Sequence, residues 1–398
     1  MKTLGLIVNP VAGVGGRVGL KGSDGPEVLR RALELGAARE APRRARLALE
    51  RLVRLKGEIG VLAWPGEMGE DEARAVGLEP QVLGSLAGRR TYAACELERE
   101  HGAPAHSSWQ DFVLTTPADT QQAARGLAAA GADLILFAGG DGTARDICAA
   151  IGDAIPVIGV PAGVKIHSAV YATTPAAAGD VAALFLHERP VAVRLREGEV
   201  MDIDEEAFRE NRVSAHLYGY LSVPYARGLT QSAKAGGVAG EERALNDVAA
   251  EVIRDMVPGA LYILGPGTTT RTIMTRLGLG KTLLGVDAVL GGALAGGDVT
   301  EQDLLRLLRE YPEAHIVVTV IGGQGHIFGR GNQQISPAVI RRVGTARITV
   351  IATQTKLLSL EGRPLLVDTG DPALDAELRG YAKVVTGLGE RTMYNVGA

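Results

Sequence analysis

Gly139-Gly140-Asp141-Gly142-Thr143 sets a single carboxylate inside a run of glycines. Glycine lets backbone amides approach a phosphate with no side chain between, and a helix opening behind such a turn favours the anion. That chemistry accounts for Gly139, Gly140 and Gly142. A carboxylate in the same place repels phosphate. It makes sense if Asp141 takes a proton from an attacking hydroxyl, or holds magnesium between itself and the phosphates. Thr143 either caps the next helix or bonds a phosphate oxygen. The plainer alternative is a tight turn with Asp141 as a capping residue. An apolar strand before the turn and a helix after it weigh towards a ligand site.

Two more apolar runs end in glycine. Ala260–Leu264 leads into Gly265-Pro266-Gly267-Thr268-Thr269-Thr270, and His315–Ile321 leads into Gly322-Gly323-Gln324-Gly325. In the first of these, Gly265, Gly267, Thr268 and Thr269 either contact phosphate or open a helix at Arg271. Lys165 and Arg330 are candidate phosphate clamps, because phosphoryl transfer needs positioned positive charge. Asp287 stands where the run Leu283–Val286 ends, within reach of a ribose or a metal, or of its own turn. His167 and His326 border glycine-rich loops and read as hydrogen-bonded scaffold. Neither has a second His or Cys at metal-ligand spacing, so no structural zinc is expected.

These loops need a scaffold that delivers strand ends to one place. Leu4–Val8, Glu58–Trp64, Asp133–Ala138 and Ile155–Val160 are continuous apolar runs alternating with helical stretches. That pattern is characteristic of a parallel, doubly wound sheet buried on both faces. Thr116-Pro117-Ala118-Asp119 supplies a hydroxyl cap, a first-turn proline and an acid for one of the helices. Another helix is expected from Ala144 to Ile151. After Leu186 short β-like runs dominate. The expected fold is therefore α/β, with residues 1–190 as a nucleotide-binding domain and residues 191–398 as a second, β-rich α+β domain whose tail returns towards the first.

The 398 residues are 46% hydrophobic and 22% charged with a formal net charge of −4, so disorder and a basic nucleic-acid-binding field are both disfavoured. No apolar run reaches membrane-spanning length. Cys95 and Cys148 give no disulfide framework, and Cys148 reads as a small core residue. The expectation is a soluble, cytoplasmic protein acting on small molecules, with neither nucleic acid nor membrane as partner.

The glycine-flanked aspartate after its strand resembles the signature of the superfamily containing NAD kinases, diacylglycerol kinases and sphingosine kinases. The opening Val8-Asn9-Pro10-Val11-Ala12-Gly13-Val14-Gly15-Gly16 is similar to that superfamily's first strand and loop. The resemblance implies that Asp141 is a general base and metal-linked carboxylate, with magnesium reached through the phosphates. It further implies that Asn9, Gly13 and Gly15 line nucleotide phosphates. Lipid kinases continue with Pro-x-Gly-Thr-x-Asn-Asp, where this chain has Pro161-Ala162-Gly163-Val164-Lys165-Ile166-His167, which counts against a lipid acceptor. Across most of its length the chain looks most like the ATP-NAD kinase-like proteins that include the acetoin-associated AcoX group. Asn246-Asp247 matches the ribose-binding pair of NAD kinases by letter, yet falls inside an amphipathic helix.

Together these features imply ATP and magnesium as cofactors and phosphorylation of NAD to NADP as the reaction. A kinase for another small hydroxyl metabolite and a non-catalytic nucleotide sensor are the alternatives. Homo-oligomerisation is a family-level expectation.

Overall fold

The computed structural model describes residues 1–20, 26–86, 91–92, 112–113, 115–163, 166–187, 193–203, 215–226, 228–230, 241–280, 282, 285–321 and 324–397. The chain divides into two compact units, one comprising Met1–Gly15 with Gly22–Ala233, the other Gly16–Lys21 with Lys234–Ala398.

In the first unit the elements run β1 (Thr3–Val8), α1 (Pro26–Glu34), α2 (Glu40–Leu49), β2 (Gly60–Ala63), α3 (Glu70–Ala75) and β3 (Gln81–Val82). After a small pair, β4 (Thr91–Tyr92) and β5 (Phe112–Val113), come α4 (Pro117–Ala129), β6 (Leu134–Gly139), α5 (Asp141–Ile151), β7 (Val157–Pro161) and α6 (Pro175–Leu186). The sheet order β3-β2-β1-β6-β7 is parallel throughout. From β1 the chain steps outward through β2 to β3, then returns to the other side of β1 for β6 and β7. The order therefore reverses between β1 and β6, and at such a reversal the two flanking loops diverge and leave room for a ligand at the carboxyl ends.

The strands are apolar because both faces are covered. Leu4, Leu6, Ile7 and Val8 of β1 and Leu134 to Ala138 of β6 are fully buried. Each buried Leu or Ile contributes about 1.5–3 kcal/mol by leaving water. Helix α2 packs on α6, β6 and β7, while α4 packs on α5 and β1. Helix α4 begins as its sequence dictates. Thr116 is its N-cap, Pro117 its first residue, and Asp119 closes a capping box onto the Thr116 N–H at 2.8 Å. The helix expected from Ala144 starts three residues earlier, so Asp141 occupies the first position of α5, where the dipole favours a carboxylate.

A two-stranded ribbon, β8 (Arg194–Ile203) and β9 (Ala215–Tyr225), completes the described part of this unit. Its strand β8 is a single run of ten residues. Ser168 ties this strand to the loop after β7: its Oγ donates to Met201 O at 2.8 Å and accepts from Met201 N at 3.0 Å.

The second unit begins with α7 (Glu241–Arg254), β10 (Leu261–Leu264), α8 (Thr268–Arg276), β11 (Asp287–Leu290) and β12 (Ala293–Gly296). Next come α9 (Glu301–Glu310), β13 (Ala314–Thr319), β14 (His326–Phe328), α10 (Pro337–Val343) and β15 (Ile348–Ile351). The last elements are α11 (Gln354–Leu358), β16 (Leu365–Val367), α12 (Pro372–Glu377), β17 (Gly380–Gly387) and β18 (Glu390–Gly397). They form a nine-stranded mixed sheet in the order β12-β11-β10-β13-β15-β17-β18-β16-β14. Its centre, β10-β13-β15-β17, is parallel. Apolar cores lie on the two faces, one led by Ile316, Val318 and Val350, the other by Val317, Ile351 and Val385. Among the described residues no helix is long and apolar enough to cross a membrane.

Candidate active site

At the carboxyl ends of β1, β6 and β7 three loops interlock. Asn9 leaves β1 and donates from Nδ2 to Thr143 Oγ1 at 3.1 Å, bridging the β1 loop to the first turn of α5. Its Oδ1 accepts from Val11 N at 3.3 Å, folding the β1 loop back on itself. The Gly139 carbonyl accepts from both Ala162 N and Gly163 N at 3.0 Å, joining the β6 turn to the β7 loop. From the buried side of α2, Arg44 reaches the same loop and donates to Pro161 O at 3.1 Å. Gly15 continues the β1 loop, Gly140 caps α5 without a side chain, and Gly142 is the second residue of that helix.

The β1 loop depends on Gly13. Its φ is +76°, and a Cβ there would stand 1.9 Å from the Ala162 carbonyl oxygen, a backbone atom that cannot yield locally. Gly13→Ala is therefore expected to cost about 2–3 kcal/mol through strain and displacement of the β7 loop. A thermal melt checks this, and an unchanged midpoint would show that the two loops do not need this approach.

Asp141 is only 5% exposed. Its Oδ2 accepts from His167 N at 2.7 Å and its Oδ1 from Ser168 N at 3.1 Å, so one carboxylate collects two consecutive backbone donors from the β7 loop. The His167 ring follows, with Nδ1 3.3 Å from Asp141 Oδ2. The fold thus brings together Asn9, Gly13, Gly139, Gly140, Asp141, Gly142 and Thr143, and Gly15 follows two residues after Gly13. Lys165 lies outside the described residues. His167, Ser168 and Arg44 complete the arrangement and were not legible as site residues. For Arg44 a signal existed, because a cation at its spacing from Ala41, Ala45 and Ala48 falls on the buried face of α2.

In the second unit, Gly265, Gly267, Thr268 and Thr269 form the turn from β10 into α8. Gly265 N is used by the sheet, donating to Val317 O at 2.9 Å, whereas Gly267 caps the helix at φ +130° and Thr268 is exposed. A Cβ on Gly267 would stand 2.6 Å from Thr319 Cγ2, so glycine here lets β13 approach the turn. Thr269 is fully buried and its Oγ1 accepts from Lys356 Nζ at 2.8 Å and from Thr319 Oγ1 at 3.1 Å. A cation thereby stands beside the positive end of a helix, a combination that suits an anion. Lys356 comes from α11, 87 residues away in sequence, and no local motif announces it.

Of the other residues singled out from sequence, Asp287 and Asn246 are engaged within their own unit. Asp287 opens β11 instead of ending a strand, is fully buried, and accepts from Thr282 Oγ1 and Asp298 N at 2.8 Å each and from Thr282 N at 3.2 Å. Asn246 sits in α7, where its Nδ2 donates to Glu242 O. Arg330 is buried in the turn after β14. Among the described residues no group of three or more His, Cys, Asp or Glu could hold a metal ion.

Comparison with known families gives two matches. A family model described as the ATP-NAD kinase N-terminal domain covers residues 4–189, and one described as the ATP-NAD kinase C-terminal domain covers residues 258–396. No curated protein and no solved structure matches the chain.

Proposed function

The chain belongs to the ATP-NAD kinase family, whose two domain models span about four fifths of it, and from that premise we propose that it phosphorylates NAD to NADP. The observation that carries the site assignment is Asp141, held by two backbone donors at the strand-order reversal, with the β1 and β6 loops beside it. In this proposal the loops at Asn9–Gly15 and Gly139–Thr143 receive phosphate groups, and Asp141 supplies the basic group that activates the acceptor hydroxyl. The turn at Gly265–Thr269, with Lys356, receives nucleotide phosphate in the second unit. Magnesium, bound with ATP, neutralises phosphate charge. ATP is the phosphoryl donor and NAD the acceptor.

Labelled ATP with magnesium, offered NAD, NADH and a set of small diols, tests the reading directly. Label appearing in NADP supports it. Label in a diol alone replaces NAD with a small hydroxyl metabolite, and nucleotide binding without any transfer replaces the kinase with a sensor. Lys356→Ala is expected to raise KM for one nucleotide about tenfold, the loss of one charge-assisted contact. Its kcat should change less than threefold (roughly, a KM effect being uniform binding lost). Steady-state kinetics in both substrates checks this, and unchanged KM values would remove Lys356 from the site.

A further inference from the structure

We infer that Arg44 is a positioning residue for the phosphate-receiving loops. From α2 its guanidinium fixes the Pro161 carbonyl, and with it the short segment Pro161–Gly163 against which the β1 loop and the β6 turn are both set. This rests on the proposed receipt of nucleotide phosphate by those loops, and deepens it by naming what holds them in register.

The need for such a residue follows from the sheet. Strand β7 is its edge strand. Backbone groups of alternate residues face the same side of a strand, so Gly159 and Pro161 both point away from β6. Gly159 is satisfied there: its N–H donates to Val170 O at 2.9 Å and its carbonyl accepts from Ala172 N at 3.0 Å. Pro161 has no N–H, and its buried carbonyl stands one step beyond that pairing. A buried carbonyl without a donor is costly, and Arg44 Nη1 supplies one at 3.1 Å. The arginine keeps its charge at any ordinary pH, so the bond is charge-assisted.

On its other side the same segment carries both loops. Ala162 N and Gly163 N share the Gly139 carbonyl. The Ala162 carbonyl lies against Gly13, and a Cβ on Gly140 would stand 3.1 Å from Gly163 Cα. A shift of Pro161–Gly163 therefore moves the β1 loop and the β6 turn together. Helix α2 is a firm mount for the arginine. It meets α6 through backbone, since a Cβ on Gly179 would stand 2.1 Å from Ala48 O. The Arg44 side chain is 7% exposed, with a Glu40 carboxylate oxygen 3.9 Å from its Nε. Its surroundings leave it few other conformations.

Three variants test the role. Arg44→Met keeps the aliphatic stem and removes charge and donors, while Arg44→Lys keeps a charge on a shorter, single-point donor. Leu49→Ala empties a fully buried position on the same helix and controls for lost stability alone. ATP affinity is measured by calorimetry with magnesium and no acceptor, and kcat in the labelled-ATP assay, each well below the variant's melting midpoint. We expect Arg44→Met to weaken ATP binding about tenfold and to lower kcat roughly 10–100-fold, the scale of loss that a misplacement of about 1 Å brings. Arg44→Lys should weaken ATP about threefold, because one shorter donor restores part of the contact. Leu49→Ala should bind ATP as the native protein does, although its melting midpoint falls at least as far. Native ATP affinity in folded Arg44→Met overturns the inference, and so does an equal loss in Leu49→Ala. If Arg44→Met does not fold, Arg44→Lys decides, and native affinity there overturns the inference. A native protein that binds ATP but transfers phosphate to no acceptor removes the proposed kinase activity, while the binding measurements still decide the role of Arg44. A native protein that does not bind ATP overturns both.

Discussion

Asp141→Asn lowers kcat by about 10²–10⁴-fold, the range lost when a positioned base is removed, while KM for ATP changes little. The amide keeps the size of the carboxylate but turns one acceptor into a donor. Whichever way it is turned, its NH₂ faces one of the two backbone donors that now bind the carboxylate, His167 N or Ser168 N. One of those N–H groups then lacks a partner in a buried place, which costs about 1–3 kcal/mol. A drop of several degrees in the melting midpoint should therefore accompany a protein that is still folded at room temperature. Turnover at the native rate would remove Asp141 from the chemistry, leaving it a loop staple.

Replacing Glu72 by Gln stabilises the protein above neutral pH. Glu72 lies in α3 at 1% exposure, and its Oε2 has no hydrogen-bond partner among the described residues; Arg46 Nη2 is 3.7 Å from Oε1. Burial raises its pKa to about 7 from the ordinary 4.5, and its helical backbone donor and Arg46 only partly offset that. The sign follows from proton linkage. The folded state holds this proton more tightly than the unfolded chain, so stability declines as pH rises from about 4.5 to about 7 and stays reduced above that. At about 1.4 kcal/mol per unit the penalty approaches roughly 3 kcal/mol at pH 8. Glutamine cannot ionise and escapes it. Urea midpoints for the two proteins should coincide near pH 4.5 and diverge in favour of Glu72→Gln by pH 8. A variant less stable than the native protein at pH 8 would mean that the contact with Arg46 outweighs the cost of burial. Because α3 packs on α2, which also carries Arg44 to the Pro161 carbonyl, the substitution additionally tests whether strain here reaches the β7 loop.

Much of the scaffold could be read directly from the chain. Buried strands at Leu4–Val8 and Asp133–Ala138 declare themselves because a parallel sheet covered on both faces admits almost only apolar side chains. The first turn of α4 was legible because capping is a contact between residues three apart. The start of α5 was placed three residues late, because glycines conceal a helical turn whose reason for existing is the strand in front of it. Strand β18 passed unnoticed, since Glu390–Gly397 alternates polar residues on an exposed hairpin and has no apolar run to betray it.

The glycine-flanked aspartate marks the boundary between what each level decides. The sequence by itself determined that Asp141 follows a buried strand and precedes a helix, and that a carboxylate among glycines is out of place in a plain phosphate cradle. Those are local facts, fixed by neighbours along the chain. Only the tertiary structure decided what faces that carboxylate. The return of the chain to the far side of β1 sets β7 beside β6, and with it His167 and Ser168 against Asp141, 26 and 27 residues away. The same holds for Arg44 beneath the Pro161 carbonyl and for Lys356 beside Thr269. Hydrogen-bond partners such as these are selected by how strands stack in space, and strand order leaves no periodic trace in the sequence.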